Sequence, residues 1–158
     1  MHSPAHIIAT ALVNGLRASW DDLHASVDKW KMHYAFVPDV PDTLLVVYDT
    51  QGRTAGRIQE TGDMVEFPGI QIMSRSLSHP VGYNMLQSLW ELNVGFCLKG
   101  VHRLPIAMPL TRIGDYTIPA QSYLIHSVNK ASPIMAAGQD EKRRSLLTLN
   151  FITSITPT

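Results

Sequence analysis

His2 and His6 stand four residues apart, the spacing that puts two imidazoles on one helix face where they could share a metal ion. Pro4 lies between them and no third ligand is close in sequence, so no metal site is expected. The other histidines, His24, His33, His79, His102 and His126, show no ligand spacing. Asp39 and Asp42 could work as a paired acid and base. Each follows a proline, however, and acidic side chains in such segments bond to the backbone amides of turns. Gly52-Arg-Thr-Ala-Gly56-Arg57 has the glycines of a phosphate cradle but lacks the Gly-Lys-Ser/Thr ending and any strong helix pattern after it. The single cysteine, Cys97, cannot form an internal disulfide; in Val94-Gly-Phe-Cys-Leu98 it reads as a small buried hydrophobe of a reducing compartment. No catalytic constellation emerges, and neither an enzyme nor a cofactor is expected.

Gly138-Gln-Asp-Glu-Lys-Arg-Arg144 has another character. Such a run suits a solvated loop, or a surface whose two signs of charge set the register of a partner. On the second reading the candidate interface residues are Gln139, Asp140, Glu141, Lys142, Arg143 and Arg144, together with Arg53, Arg57 and Arg75. Reversing charge at Asp140 and Arg143 would then leave the fold intact and impair assembly. Gly138 would supply a turn conformation denied to other residues.

The elements that must position these groups follow from periodicity and punctuation. Ser3-Pro4 is a helix start, since the serine oxygen caps free amides and proline's missing N–H costs nothing in the first turn. Ile8, Leu12 and Leu16, with Ile7 and Ala11 beside them, give that helix one apolar face as far as about Ala18. Residues 19 to 42 carry mixed signals: Trp20, Leu23, Val27 and Trp30 have helical spacing, Tyr34-Ala-Phe-Val37 looks extended, and Pro38-Asp-Val-Pro-Asp42 must be a turn or extended linker. Thr43-Leu-Leu-Val-Val-Tyr48 reads as a strand that ends at Asp49-Thr-Gln-Gly52. A polar loop containing Gly52, Gly56 and Gly62 leads to Met64-Val-Glu-Phe67 and, past Pro68-Gly69, to a half-buried strand from Ile70 to Arg75. His79-Pro80 opens a second helix bearing Val81, Met85, Leu89, Leu92 and Phe96, with its end at Lys99-Gly100. Leu104 to Pro119, with Pro105, Pro109 and Pro119, reads as loop with short extended pieces. Two long strands close the chain, Ser122 to Val128 and Ser145 to Ile155, joined by the charged excursion from Pro133 to Arg144 and expected to form a docking edge.

That order predicts an α+β fold in one domain, residues 1–158: a largely antiparallel sheet of about four or five strands with two main helices packed on one face. Asn150, on a strand face with Leu146, Thr148 and Ile152, would need a hydrogen-bond partner if buried. At 158 residues the chain can bury roughly two thirds of its unfolded surface. Its 13 basic and 13 acidic residues cancel, so any DNA contact must be local or indirect. No apolar run reaches the ~18 residues of a membrane span, and Met1-His-Ser-Pro lacks the basic head of a signal peptide. Synthesis and folding in the cytoplasm are expected.

Read together, Pro38-Asp-Val-Pro-Asp42 before Leu44-Leu-Val-Val-Tyr-Asp-Thr50 and Gly52, then Phe67-Pro-Gly-Ile-Gln-Ile72 with Arg75, resemble a small structural protein of long-tailed bacteriophages. Tyr123-Leu-Ile-His-Ser-Val128, Pro133-Ile134, Gly138-Gln-Asp140 and Leu149-Asn-Phe-Ile152 resemble, in the same order, minor capsid, tail completion or tail terminator components. The resemblance covers most of the chain from about residue 38; residues 20–36 and 104–119 carry no aligned motif. It implies a virion protein of the neck, made in the host cytoplasm. Such proteins form homo-oligomeric rings, often hexamers, on the head-proximal end of the tail tube. The ring would stop tube polymerisation and meet the head connector or stopper, while DNA passes through its channel without sequence-specific binding. Alternatives are another head-tail connector component, stopper or adaptor, or a small-molecule binding domain.

Overall fold

The computed structural model describes residues 1–23, 31–57, 64–91 and 98–158. The expectations for His24, Val27, Trp30, Gly62, Leu92, Phe96 and Cys97 lie outside them. In chain order run α1 (Pro4–Leu23), β1 (Lys31–Tyr34), β2 (Leu44–Arg57), β3 (Met64–Ser76), α2 (His79–Glu91), a 3-10 turn (Leu98–Gly100), β4 (His102–Met108), β5 (Thr111–Ile113), β6 (Tyr116–Ile118), β7 (Gln121–Lys130), β8 (Met135–Gln139) and β9 (Ser145–Pro157).

The described chain is mostly strand. Seven strands form one curled, mixed sheet in the order β1-β2-β3-β9-β7-β4, with β8 paired to β9, and β5-β6 is a separate hairpin. This replaces the expected antiparallel sheet of four or five strands with two helices packed on one face. Three regions account for the difference. β1, from the stretch of mixed signals, runs parallel to β2 with Lys31 opposite Leu44 and Tyr34 opposite Val47. The proline-rich stretch holds β4, β5 and β6. Among the described residues β4 pairs only with β7 and ends the sheet order, where Pro105 is tolerated, and Gly114, at φ 58°, helps turn β5 into β6. β8 arises inside the charged excursion, exposed along its whole length, so no alternation marks it. Gly52 and Gly56, assigned above to a loop, lie within β2.

The two long strands expected to form a docking edge are instead central. β9 pairs with β3 on one side, and on the other with β8 and then β7. Tyr123, Ile125, Leu147, Leu149 and Phe151 are core residues.

Helix α1 begins as its sequence dictates, with Ser3 Oγ accepting from the His6 amide at 3.2 Å and the β2 residue Asp49 accepting from the Ala5 amide at 2.8 Å. Ala5, Ile7, Ile8, Ala9, Ala11 and Leu12 are all buried. The helix contacts β1, β2, β3 and β4, which span the sheet from end to end, so the sheet curls around it. Each of Ile7, Ile8 and Leu12 contributes about 1.5–3 kcal/mol of burial. Helix α2 joins the same core through Met85, Leu86 and Leu89, with Val81 exposed and Gly82 buried against β3. A Cβ at Gly82 would lie 2.9 Å from Ser76 Oγ and 3.3 Å from Leu147 Cδ1, so glycine lets the helix approach the sheet.

Leu44, Leu45, Val46 and Val47 are all fully buried, which gives β2 its unbroken apolar run. Leu45 and Val47 belong to the core cluster around α1; Leu44 and Val46 alternate to the opposite face. Because β1 and β2 are parallel, residues 35–43 must run back along β1 before β2 can start. This return segment, which carries Pro38 and Pro41, is a strap across the second face.

Candidate subunit interface

The strap is fastened by two buried arginines. Arg75 of β3, opposite Leu44 of β2, is 3% exposed and donates through Nη2 to the carbonyls of Asp39 at 3.1 Å and Pro41 at 2.6 Å. Arg144, at the entry to β9, is 4% exposed. Its Nη1 donates to the Asp39 carbonyl at 2.8 Å and to Asp42 Oδ1 at 3.0 Å, and its Nε donates to Asp140 Oδ2 at 2.6 Å. Lys142 Nζ closes the cluster on Asp39 Oδ2 at 2.7 Å. Burial works against the Arg144 charge, but the bonds to Asp140 and Asp42 outweigh it and raise its pKa. Lys142, then Arg144, holds the Asp39 carboxyl below its usual range. Burial lowers the Arg75 pKa, with Arg144 adding to the effect, and its Nε has no hydrogen-bond partner.

Asp140 organises the turn between β8 and β9. Its Oδ1 accepts from the amides of Lys142 at 3.0 Å and Arg144 at 2.9 Å, while Arg143, at φ 59°, bends the chain back so that its amide reaches the Asp140 carbonyl. Gly138 has φ 106°, the conformation expected of it, inside a bulge of β8. Asn150 has its partners as well: Gln71 Nε2 donates to Oδ1 at 2.9 Å, and Asn150 Nδ2 donates to Ser132 Oγ at 3.1 Å.

Of the candidate interface residues, the structure therefore turns several inward. Arg144 and Arg75 are buried anchors of the strap, and Asp140 is a turn residue that holds Arg144. Reversing Asp140 removes the carboxylate that holds this turn and Arg144, so lost assembly in the combination with Arg143 would not separate an interface effect from a loosened turn. Glu141→Lys with Arg143→Glu is the variant that tests the exposed loop alone. Gln139, Glu141 and Arg143 are exposed, and Lys142 is exposed while paired with Asp39. Arg53 is exposed near the far end of β2, away from this cluster, and Arg57 lies farther along in register with Met64. Sequence reasoning missed the pairing of Asp39 and Asp42 with Arg144, because partners more than a hundred positions apart leave no local signal.

His2 and His6 also meet. No group of three or more metal-ligating side chains comes together among the described residues. Pro119 O can only accept, so the 3.2 Å contact assigns the proton of His2 to Nε2. The 3.3 Å approach of the two Nδ1 atoms is then a bond donated by His6. His2 is buried against Tyr123, whose hydroxyl accepts the His2 amide at 2.9 Å, and His6 stacks on Tyr34 at 4.0 Å. Burial, and then His2, lower the His6 pKa; burial, then Lys31 and Arg75, lower that of His33. The unfolded chain therefore binds more protons than the folded one below about pH 6.5. Thermal stability should fall as pH drops from 6.5 through the folded values of these histidines. A second fall should come below about pH 4, where Asp39 and Asp140 lose the charge that holds the strap. Melting curves from pH 8 to pH 3 check this; His6→Gln should reduce the first fall to the share of His33 and leave the second, and a flat wild-type profile would contradict the assignment.

No protein-family model matches the chain, and no curated protein gives a significant match. No described helix is long and apolar enough to cross a membrane.

Proposed function

We propose that the chain is a non-enzymatic neck subunit of a long-tailed bacteriophage, a tail terminator. Copies close into a homo-oligomeric ring, taken as a hexamer, on the head-proximal end of the tail tube; the ring stops tube growth and offers a surface to the head connector. The observation that supports this reading is the arm at the end of β2 and β3. The ladder between β3 and β9 ends at Gly69 opposite Ile152, while β3 continues to Met64 paired, among the described residues, only with β2. From Arg53–Phe67 to Arg57–Met64 the arm is two-stranded, and residues 51–55 and Glu66 are exposed.

A two-stranded ribbon is marginally stable alone in water, and a neighbouring copy supplies what it lacks. Ring closure needs two different complementary surfaces on each copy, and a projecting arm that meets a distant patch of the next copy meets that need. The β5-β6 hairpin adds exposed apolar surface through Tyr116 and adjoining Leu110. The resemblance in the Pro38–Gly52, Phe67–Arg75 and Tyr123–Ile152 segments supports a place for the ring in the neck of the virion.

Thr54 and Glu66 are register partners, so an Asn-Gly turn can join them and remove the arm beyond. The shortened protein should melt close to wild type and no longer co-sediment with purified tail tubes. Co-sedimentation as strong as wild type would remove the arm from the interface.

A further inference from the structure

His2 and His6 bridge strands that stand far apart in the sheet order. His2 precedes α1 and is 1% exposed, its amide bonded to the Tyr123 hydroxyl of β7 and its Nε2 to the carbonyl of Pro119. His6, in the first turn of α1, stacks on Tyr34 of β1. β1 is one end of the sheet order, and β7 stands beside β4 at the other. At this seam the two Nδ1 atoms approach to 3.3 Å, with the ring centroids 5.1 Å apart and the planes inclined at 66°.

We infer that this pair is a binding site for a divalent transition-metal ion of the zinc class, with His2 Nδ1 and His6 Nδ1 as its two protein ligands and water in the remaining positions. Two nitrogens bound at about 2.05 Å in a tetrahedral site stand about 3.3 Å apart, which is the separation the two rings already hold. A ligating histidine characteristically donates its other ring N–H to a carbonyl, which fixes the ring and aims the free lone pair. His2 does this at 3.2 Å to Pro119, and the stack on Tyr34 holds the second ring. Imidazole suits zinc, copper and nickel, and a tetrahedral edge selects zinc among them. The proton that His6 Nδ1 donates across the gap moves through solvent to His6 Nε2 when the ion enters, so neither ring changes charge. His6 is only half-buried, which leaves the ion a route to water. Bound there, it would tie the start of α1, and through it β1 and β7, at one point. The inference stands on these contacts alone and does not rest on the proposed ring.

The test is a titration of the full-length chain, stripped of metal with a chelator, with Zn²⁺ alone near neutral pH, read by the nitrogen-15 shifts of its histidine rings. The Nδ1 resonances of His2 and His6 should move together, saturate at one ion per chain and precede any change at the other histidines. His6→Gln should weaken binding at least tenfold, and saturating zinc should raise the melting midpoint of the wild type while leaving that of His6→Gln in place. His2→Gln should weaken binding to a similar degree; because His2 is buried, the wild-type ring shifts, which need no variant to fold, carry the decision. No shift at either ring, shifts that begin at other histidines, or zinc bound by His6→Gln as tightly as by wild type would overturn the site.

Discussion

Arg144→Ala lowers the melting temperature by roughly 5–10 °C and exposes the amides of residues 35–43 to exchange. The side chain makes charge-assisted bonds to three aspartates from a buried position. Losing it costs about 2–3 kcal/mol, below the sum of its bonds because Asp39 and Asp42 can return to water. In a domain of this size each kcal/mol moves the midpoint by about 2–4 °C. Lys142→Ala, at an exposed pair with the same Asp39, should cost less than about 1 kcal/mol. The contrast locates the effect in the buried anchor. Melting of Arg144→Ala as wild type would mean that the strap is held by something other than this cluster, and the β1-β2 connection would need another account.

Gly52→Val disorders the arm while sparing much of the core. A Cβ at Gly52 would overlap the Phe67 carbonyl oxygen and lie 2.9 Å from the Gly69 nitrogen. Both neighbours are backbone, so no side-chain rotation relieves the clash. Overpacking of this kind costs about 3 kcal/mol, but a ribbon at the end of a sheet can open locally and limit the loss. Exchange of the Thr54 and Glu66 amides should therefore rise by at least tenfold while the melting midpoint moves less than in Arg144→Ala. Gly69→Ala meets the same crossing from the other strand, 2.5 Å from the Gln51 carbonyl oxygen, and should act in the same direction. Protection at Thr54 and Glu66 equal to wild type would contradict the close crossing.

The parts legible in the sequence are those with a local cause. Ser3 and Pro4 mark the start of α1 because capping is decided within one turn. The run Leu44–Val47 marks β2, and the need of Asn150 for partners follows from its apolar neighbours. Helix α2 begins where His79-Pro80 places it, although its buried stripe runs through Gly82 rather than Val81, since glycine shows no apolar signal. What the sequence hid is set by distant pairing. The parallel alignment of β1 with β2 leaves no mark in Lys31–Tyr34, and β4 keeps a proline because only one of its sides is paired. The same holds for the candidate interface. The charged run reads as outward-facing, yet its strongest charge, Arg144, is claimed by Asp39 and Asp42 of the strap.

Electron microscopy of purified tail tubes mixed with the purified protein tests the proposed neck role most directly. The proposal predicts ring density at one end of each tube and no further growth when tube subunits are added. Bare tubes that continue to grow, with the protein on portal complexes or on neither, would contradict it.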